Sequence, residues 1–251
     1  MHLRRLPVLR TPTHVLQILV LLGKGQAEEA EQHLGALLPG QGPSPGARFH
    51  RCRLGDLELL WERHTEFCTY TFIAEAGTEP LFSQKPFANV DQSWLRAMPG
   101  QVLRASHVVF VDELPGDKPP TSMFAEDSLV SCDLAGGAAR MWSDFRLHPE
   151  GSGRLLVVDK DLQGIEATQL LRRLLELGNY RKMALLGLPV AQSGMLQLEL
   201  LEARLVDLTA SVADAQAEPR ALLDELTSLS AEIARLAAET QFRMSASAAY
   251  G

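Results

Sequence analysis

The chain is short of cysteine, of aromatic residues and of basic charge, and it has no long apolar run. Three cysteines, Cys52, Cys68 and Cys132, are spread through 251 residues. An odd number at such wide spacing supplies neither a disulfide framework nor the paired ligands of a zinc site. Reduced, partly buried thiols are expected, as in a cytosolic protein. Basic residues number 24 against 31 acidic ones, a formal charge of −7. A nucleic-acid binder needs a basic face, so no nucleic-acid partner is expected. No uninterrupted apolar stretch approaches the ~20 residues of a membrane-spanning helix, and the chain is expected to be soluble by itself. The run Val15 to Leu22, behind Met1-His2-Leu3-Arg4-Arg5, is too short to span, and Gly23-Lys24-Gly25 offers no small-x-small cleavage site. It reads as a buried strand.

What is present describes a folded protein. Hydrophobic residues make up 46% and charged residues 22%, enough for a core and too little charge for wholesale disorder. Strand and turn signals dominate up to Asp159. A helix is predicted from Gln26 to Leu38, with Ala27, Ala30, Leu34, Leu37 and Leu38 on one face and Glu28, Glu29 and Glu31 at its positive end. A Gly/Pro loop from Pro39 to Gly46 leads to strands Ala47–Leu54 and Leu57–Arg63, with Gly55-Asp56 suited to a type II′ turn. The chain then extends through Phe67 to Ala74. A short helix Gln92–Met98, a strand Val102–Val111 and a Pro-rich loop Pro115–Pro120 follow. Strands Ser128–Leu134 and Ala138–His148 meet near Gly136-Gly137, and Arg154–Asp159 is the last strand.

The two halves of this region echo each other. Thr13-His14-Val15 opens the first strand of one half, and Ser106-His107-Val108 lies in the first strand of the other. A tryptophan stands six positions after a turn glycine in both, Gly55 to Trp61 and Gly136 to Trp142. Two related β-rich units sharing one mostly antiparallel sheet are expected.

After Asp159 the periodicity becomes helical. Ala167 to Leu188 carries Leu170, Leu174, Leu177, Ala184 and Leu188 on a stripe, with Pro189 as a break or kink. From Leu198 the spacing is heptad-like through Leu201, Leu205, Leu208 and Val212. It pauses at Ala215–Pro219 and resumes through Leu222, Leu226, Leu229, Ile233 and Leu236. The predicted class is α+β: a β-rich head over residues 1–160, then helices over 161–251 forming an antiparallel, coiled-coil-like hairpin.

Candidate site residues fall in two clusters. Glu62, His64 and Glu66 would share one face if a single strand carried them, about 7 Å apart, where two carboxylates and an imidazole suit a metal or acid–base work. Arg51, Arg63 or Arg146 could equally pair with them across a solvated sheet face. Asp144, Arg146 and His148 would share a strand face with Trp142, as an anion site around Arg146 or as cross-strand charge pairs. If the halves are related, the two clusters could face each other near the axis. Cys68 and His64 are about 13 Å apart along a strand, too far for a nucleophile pair. Gly23-Lys24-Gly25 lacks the spacing of a phosphate loop, and Gly151-Ser152-Gly153 lacks that of a nucleophile elbow. His14 and His107 are expected to be structural. No catalytic set and no cofactor is named by any of these patterns.

Trp61-Glu62-Arg63-His64-Thr65-Glu66-Phe67 with Tyr70-Thr71-Phe72 resembles the signature of a bacterial family of uncharacterised membrane-anchored proteins, one of the domain-of-unknown-function families. Ala135-Gly136-Gly137-Ala138, Trp142-Ser143-Asp144-Phe145-Arg146, Leu156-Val157-Val158-Asp159 and Tyr180 through Ala191 are similar to it as well, so the resemblance runs from about Leu9 to Tyr250. The family's acidic-His-Ala-Arg-Pro segment before the first strand is missing here. The family also continues through further helices to a carboxy-terminal anchor. The resemblance therefore implies a truncated chain whose complete form is membrane-tethered with its head in the cytoplasm.

The expected function is non-enzymatic: a β-rich head on helices, acting through a helical partner or through self-association along the heptad seams. Two alternatives stand beside it. One is a ligand-binding, metal-binding or hydrolase-like protein built on the Glu/His/Glu cluster. The other is a basic surface at Arg172, Arg173, Arg181 and Lys182 that meets anionic lipid.

Overall fold

A computed structural model of the protein describes residues 7–37, 40–75, 77, 79–114, 120–163, 165–212 and 218–250. The expected loops at Pro39–Gly46 and Pro115–Pro120 and the break at Ala215–Pro219 lie partly outside these residues. By contact the chain divides into two compact units, Met1–Leu175 and Glu176–Gly251.

The first unit is an eight-stranded sheet. Strands β1 (Thr13–Leu21), β2 (Phe49–Leu54), β3 (Leu57–Arg63), β4 (Phe67–Glu75), β5 (Gln101–Val111), β6 (Val130–Leu134), β7 (Ala139–Ser143) and β8 (Gly153–Asp159) lie in the order β2-β3-β4-β1-β5-β8-β7-β6. Outward from the centre, each half runs first strand, fourth, third, second. The predicted echo is thus visible as strand order, and its axis can be located. β1 pairs antiparallel with β5 so that Val15 lies opposite Val108, the third residue of each echoed triplet. Trp61 and Trp142 occupy the corresponding strands β3 and β7. The echo fails in direction at one place: β4 is antiparallel to β1, whereas β8 is parallel to β5.

Both faces of the central strands are covered, which is why β1 is a continuous apolar run and not an alternating one. On one face, Leu16, Ile18 and Val20 pack with Trp61, Tyr70 and Phe72 under α1 (Gln26–Leu37) and α2 (Gln92–Arg96). On the other, Val15, Val108, Phe110 and Val157 pack with Ala167, Leu171 and Leu175 of α3 (Glu166–Leu185). The first half of α3 therefore belongs with the sheet. Its Thr168 hydroxyl accepts from the Leu9 amide (3.0 Å) and donates to the Pro7 carbonyl (3.0 Å), tying the amino-terminal segment down. α1 and α2 are locked by a reciprocal contact: the His33 ring stacks on Trp94 at 4.5 Å, and the Trp94 indole donates to the His33 carbonyl at 2.8 Å.

The turns follow their residues. Gly55 has φ +62 at the first central position of the β2–β3 hairpin, as a type II′ turn requires. Gly100 has φ +103, and a Cβ there would lie 2.3 Å from the Leu21 carbonyl oxygen, so only glycine fits against the end of β1.

In the second unit the remainder of α3 is followed by α4 (Gly187–Val212) and α5 (Pro219–Tyr250). The break between α3 and α4 falls just before Pro189. The proline sits in the first turn of the new helix, where its missing N–H costs nothing. α4 and α5 run antiparallel: Arg204 pairs with Glu232 at 2.8 Å, and Gly187 approaches Ser247 so closely that a Cβ would lie 2.5 Å from its hydroxyl. Gly187, Gly194, Leu201 and Leu208 are buried along α4 at seven-residue steps, facing Leu229 and Leu236 of α5. At 26 and 32 residues the helices exceed the predicted arms, reaching about 39 and 48 Å at 1.5 Å per residue.

Candidate functional site

The centre of the sheet holds a buried polar group. His14 of β1 and His107 of β5 are 1% and 0% exposed, and His14 Nδ1 lies 3.0 Å from His107 Nε2. Their register explains the meeting. His14 is opposite Val109 and His107 is opposite Leu16, so the two rings are diagonal neighbours on one face. Phe82 and Phe87 stand edge-on to the His107 ring at 5.4 Å each. The Gln84 amide nitrogen, which can only donate, lies 3.3 Å from His107 Nδ1. His107 Nδ1 is then the acceptor, its Nε2–H donates to His14 Nδ1, and the His14 proton sits on Nε2. Burial holds both imidazoles neutral. It carries His107 down to about 3, with the neighbouring His14 and Arg154 adding to the effect and Glu150 opposing it. Burial also lowers His14, against the pull of Glu79.

Beside this pair, on the same face, lies a half-open cavity of about 540 Å³. Its apolar wall is Leu16, Ile18, Phe87, Val90, Leu95 and Ala105, and its polar lining includes Gln84, Lys85, Glu150 and Ser152. Glu150 accepts from Arg154 at 2.6 and 3.2 Å. Burial alone would raise its pKa; the Arg154 guanidinium, together with smaller contributions that include the backbone amide of Glu150 itself, lowers it. The Ser152 hydroxyl is buried without a hydrogen-bond partner.

The first predicted cluster is arranged differently from the expectation. β3 ends at Arg63, the His64 amide donates to the Phe67 carbonyl at 2.8 Å, and Thr65-Glu66 form the tip of a hairpin. Glu62, His64 and Glu66 therefore do not lie on one strand face. Glu62 is opposite Thr69, the His64 ring stacks on Phe67 at 4.2 Å, and Glu66 is buried in the turn, where its carbonyl accepts from the Leu22 amide at 2.7 Å. Among the described residues, no three of His, Cys, Asp and Glu are grouped to hold a metal ion.

The second cluster is likewise off the strand, because β7 stops at Ser143. Phe145 takes φ +54, and the Asp144 carboxylate closes the turn by accepting from the amides of Ala125 (3.0 Å) and Arg146 (3.1 Å) and from His148 Nε2 (3.0 Å). Burial would raise the Asp144 pKa, but those donors hold it below the usual carboxylate range. Arg146 points outward to Asp127 at 2.7 Å. Buried Asp144 and half-buried His148 pair within the turn, and Arg146 is not part of an anion pocket with them. β4, β1, β5 and β8 stand between the two predicted clusters, a lateral separation of about 24 Å at 4.8 Å per strand, so they do not converge.

The third conspicuous group is Trp61, Cys68 and Tyr70, all fully buried. Burial pushes the Cys68 thiol up to about 11, against the lowering contacts of Tyr70 and Trp61, so it stays a neutral thiol. Burial raises Cys52 to about 11 as well. Neither is an activated nucleophile.

An eight-stranded, mostly antiparallel head followed by long carboxy-terminal helices defines an α+β protein with a helical appendage. The family described as protein of unknown function (DUF3422) matches residues 1–251, and the chain belongs to that family. No curated protein and no solved structure matches the chain.

Proposed function

We propose that this chain is a non-catalytic module whose helical hairpin docks an amphipathic helix of another protein. The observation that carries this is the exposed apolar row along the hairpin. Two packed helices bury only the middle of their shared seam. Leu201, Leu208, Leu229 and Leu236 are covered, whereas Leu198, Leu205 and Val212 of α4 and Leu226 and Ile233 of α5 are 43–60% exposed. These repeat at seven-residue steps along each helix. A third helix with its own apolar stripe would cover them.

The charge of the hairpin selects the partner. α4 and α5 carry seven carboxylates and four arginines, a net −3. Two of those arginines, Arg204 and Arg235, are paired within the hairpin, to Glu232 and Glu239. A partner helix with lysine or arginine flanking its apolar stripe is therefore favoured over a second copy of this acidic hairpin.

The test uses the purified chain and two synthetic helical peptides with the same leucine stripe, one flanked by lysines and one by glutamates. The lysine peptide is expected to bind at micromolar concentration, the glutamate peptide at least tenfold more weakly, and Leu205→Glu with Ile233→Glu to abolish binding. Equal binding of the two peptides, or survival in the double variant, refutes the proposal. A concentration-dependent dimer in sedimentation that the same substitutions break would assign the face to a second copy instead.

One observation favours a second reading, contact with a membrane. The stretch Glu166–Val212 is, by length and composition, long and apolar enough to cross a bilayer, and little of its most apolar part is buried. The resemblance to membrane-anchored proteins supports the same reading. Flotation of this chain with neutral vesicles would favour the membrane over the helical partner.

A further inference from the structure

We infer that the cavity beside the histidine pair binds a neutral, mainly apolar small molecule through a single hydrogen-bonding group. Its volume of about 540 Å³ falls in the range of small-molecule sites, and its wall of Leu16, Ile18, Phe87, Val90, Leu95 and Ala105 is apolar. The charges in the lining are already matched. Glu150 is held by two hydrogen bonds from Arg154, and Lys85 pairs with Glu79 at 3.5 Å. A charged ligand would enter without a counter-charge, which the apolar wall penalises.

Ser152 lacks a hydrogen-bond partner, and Gln84, which is exposed, has an acceptor to offer. Ser152 is 3% exposed, and its unpartnered hydroxyl is in an unfavourable state that a ligand group would relieve. Gln84 spends its amide nitrogen on His107, which leaves its carbonyl oxygen to accept. The two stand about two residues apart along β5. Gln84 reaches His107, and Ser152 immediately precedes Gly153, which pairs with Ser106. A ligand hydroxyl or amide placed there would donate to Gln84 or exchange a hydrogen bond with Ser152, while its apolar body lies along Ile18 and Ala105. Because Gln84 also donates to His107, occupancy would be felt at the buried ring.

The experiment titrates the folded chain with cyclohexanol, cyclohexylammonium and cyclohexanecarboxylate, following the methyl resonances of Ile18 and Ala105 and the ring resonances of His107. Cyclohexanol is expected to give saturable shifts at all three positions, with each charged analogue at least tenfold weaker. Ala105→Leu, which fills the cavity, should remove the shifts at Ile18 and His107. Ser152→Ala should weaken binding at least threefold with the melting temperature within a few degrees of wild type. Should Ala105→Leu fail to fold, Leu95→Trp fills the site from the opposite wall and must give the same loss. Unsaturable shifts, equal binding of the charged analogues, or binding that survives the filled cavity would each overturn the inference.

Discussion

Acid should loosen the head from its centre, and His107 sets the size of the effect. An unfolded histidine titrates near 6.5, whereas burial holds His107 at about 3 in the fold. Its folded pKa is depressed, so the neutral ring favours the native state fully above pH 6.5. That advantage is lost as pH falls toward 3, because unfolding then takes up a proton. At 1.36 kcal/mol per unit, the loss between pH 7.5 and pH 5 comes to about 2 kcal/mol from His107 alone. His14 and His33 are shifted in the same direction and deepen it. The assay is urea unfolding followed by tryptophan fluorescence, since Trp61, Trp94 and Trp142 all lie in the sheet unit and report on it apart from the long helices. A His107→Gln variant keeps a neutral hydrogen-bonding group and cannot titrate. It is expected to be less stable at pH 7.5 and to lose about 2 kcal/mol less than wild type on going to pH 5. If the two proteins lose the same stability over that interval, a neutral His107 is not what the fold depends on.

Asp144→Ala removes the acceptor for two amides and the His148 ring, and should cost about 3 kcal/mol by the same unfolding assay, with Asp144→Asn milder. Gly100→Ala must displace the Leu21 carbonyl and should lower the melting temperature by at least several degrees, whereas Gly46→Ala, with open space around it, should act through its φ alone. In thiol titration with an aromatic disulfide at pH 8, Cys68 should stay unreactive until denaturant is added, whereas Cys132, half-exposed, reacts first. Gly187→Leu should separate the helix ends at Ser247 and reduce helicity without changing tryptophan fluorescence.

Much of the architecture could be read from residue pattern because local signals and tertiary structure agree there. Gly55-Asp56 turns where it should, and the apolar run of β1 becomes the most enclosed part of the sheet. The paired triplets around His14 and His107 meet across the central ladder. The candidate sites were less legible. Thr65-Glu66 contains no glycine, proline or asparagine, so nothing in composition announces a hairpin tip. The turn is imposed by pairing of Arg63 with Cys68 on either side. Phe145 in a left-handed conformation is similarly silent in sequence, being held by the Asp144 carboxylate and the Ser143 hydroxyl, which accepts from its amide at 3.2 Å. The parallel setting of β8 against β5 depends on the route of the connection from β7, which no periodicity encodes. The cavity joins residues from β1, β5, α2, the segment before it and the Gly151 turn, and Ser152 looked like an ordinary turn residue until its neighbours were in place.

The joint between β1 and β5 governs how the head can come apart. Parting these strands would bring two unprotonated rings and the Val15–Val108 contact into water together, so the middle of the sheet has no inexpensive way to open. The short outer hairpins β2–β3 and β6–β7 can fray without that penalty. Amide deuteration should therefore proceed inward from the rims, with the slowest protons in β1 and β5 exchanging only when the whole head unfolds.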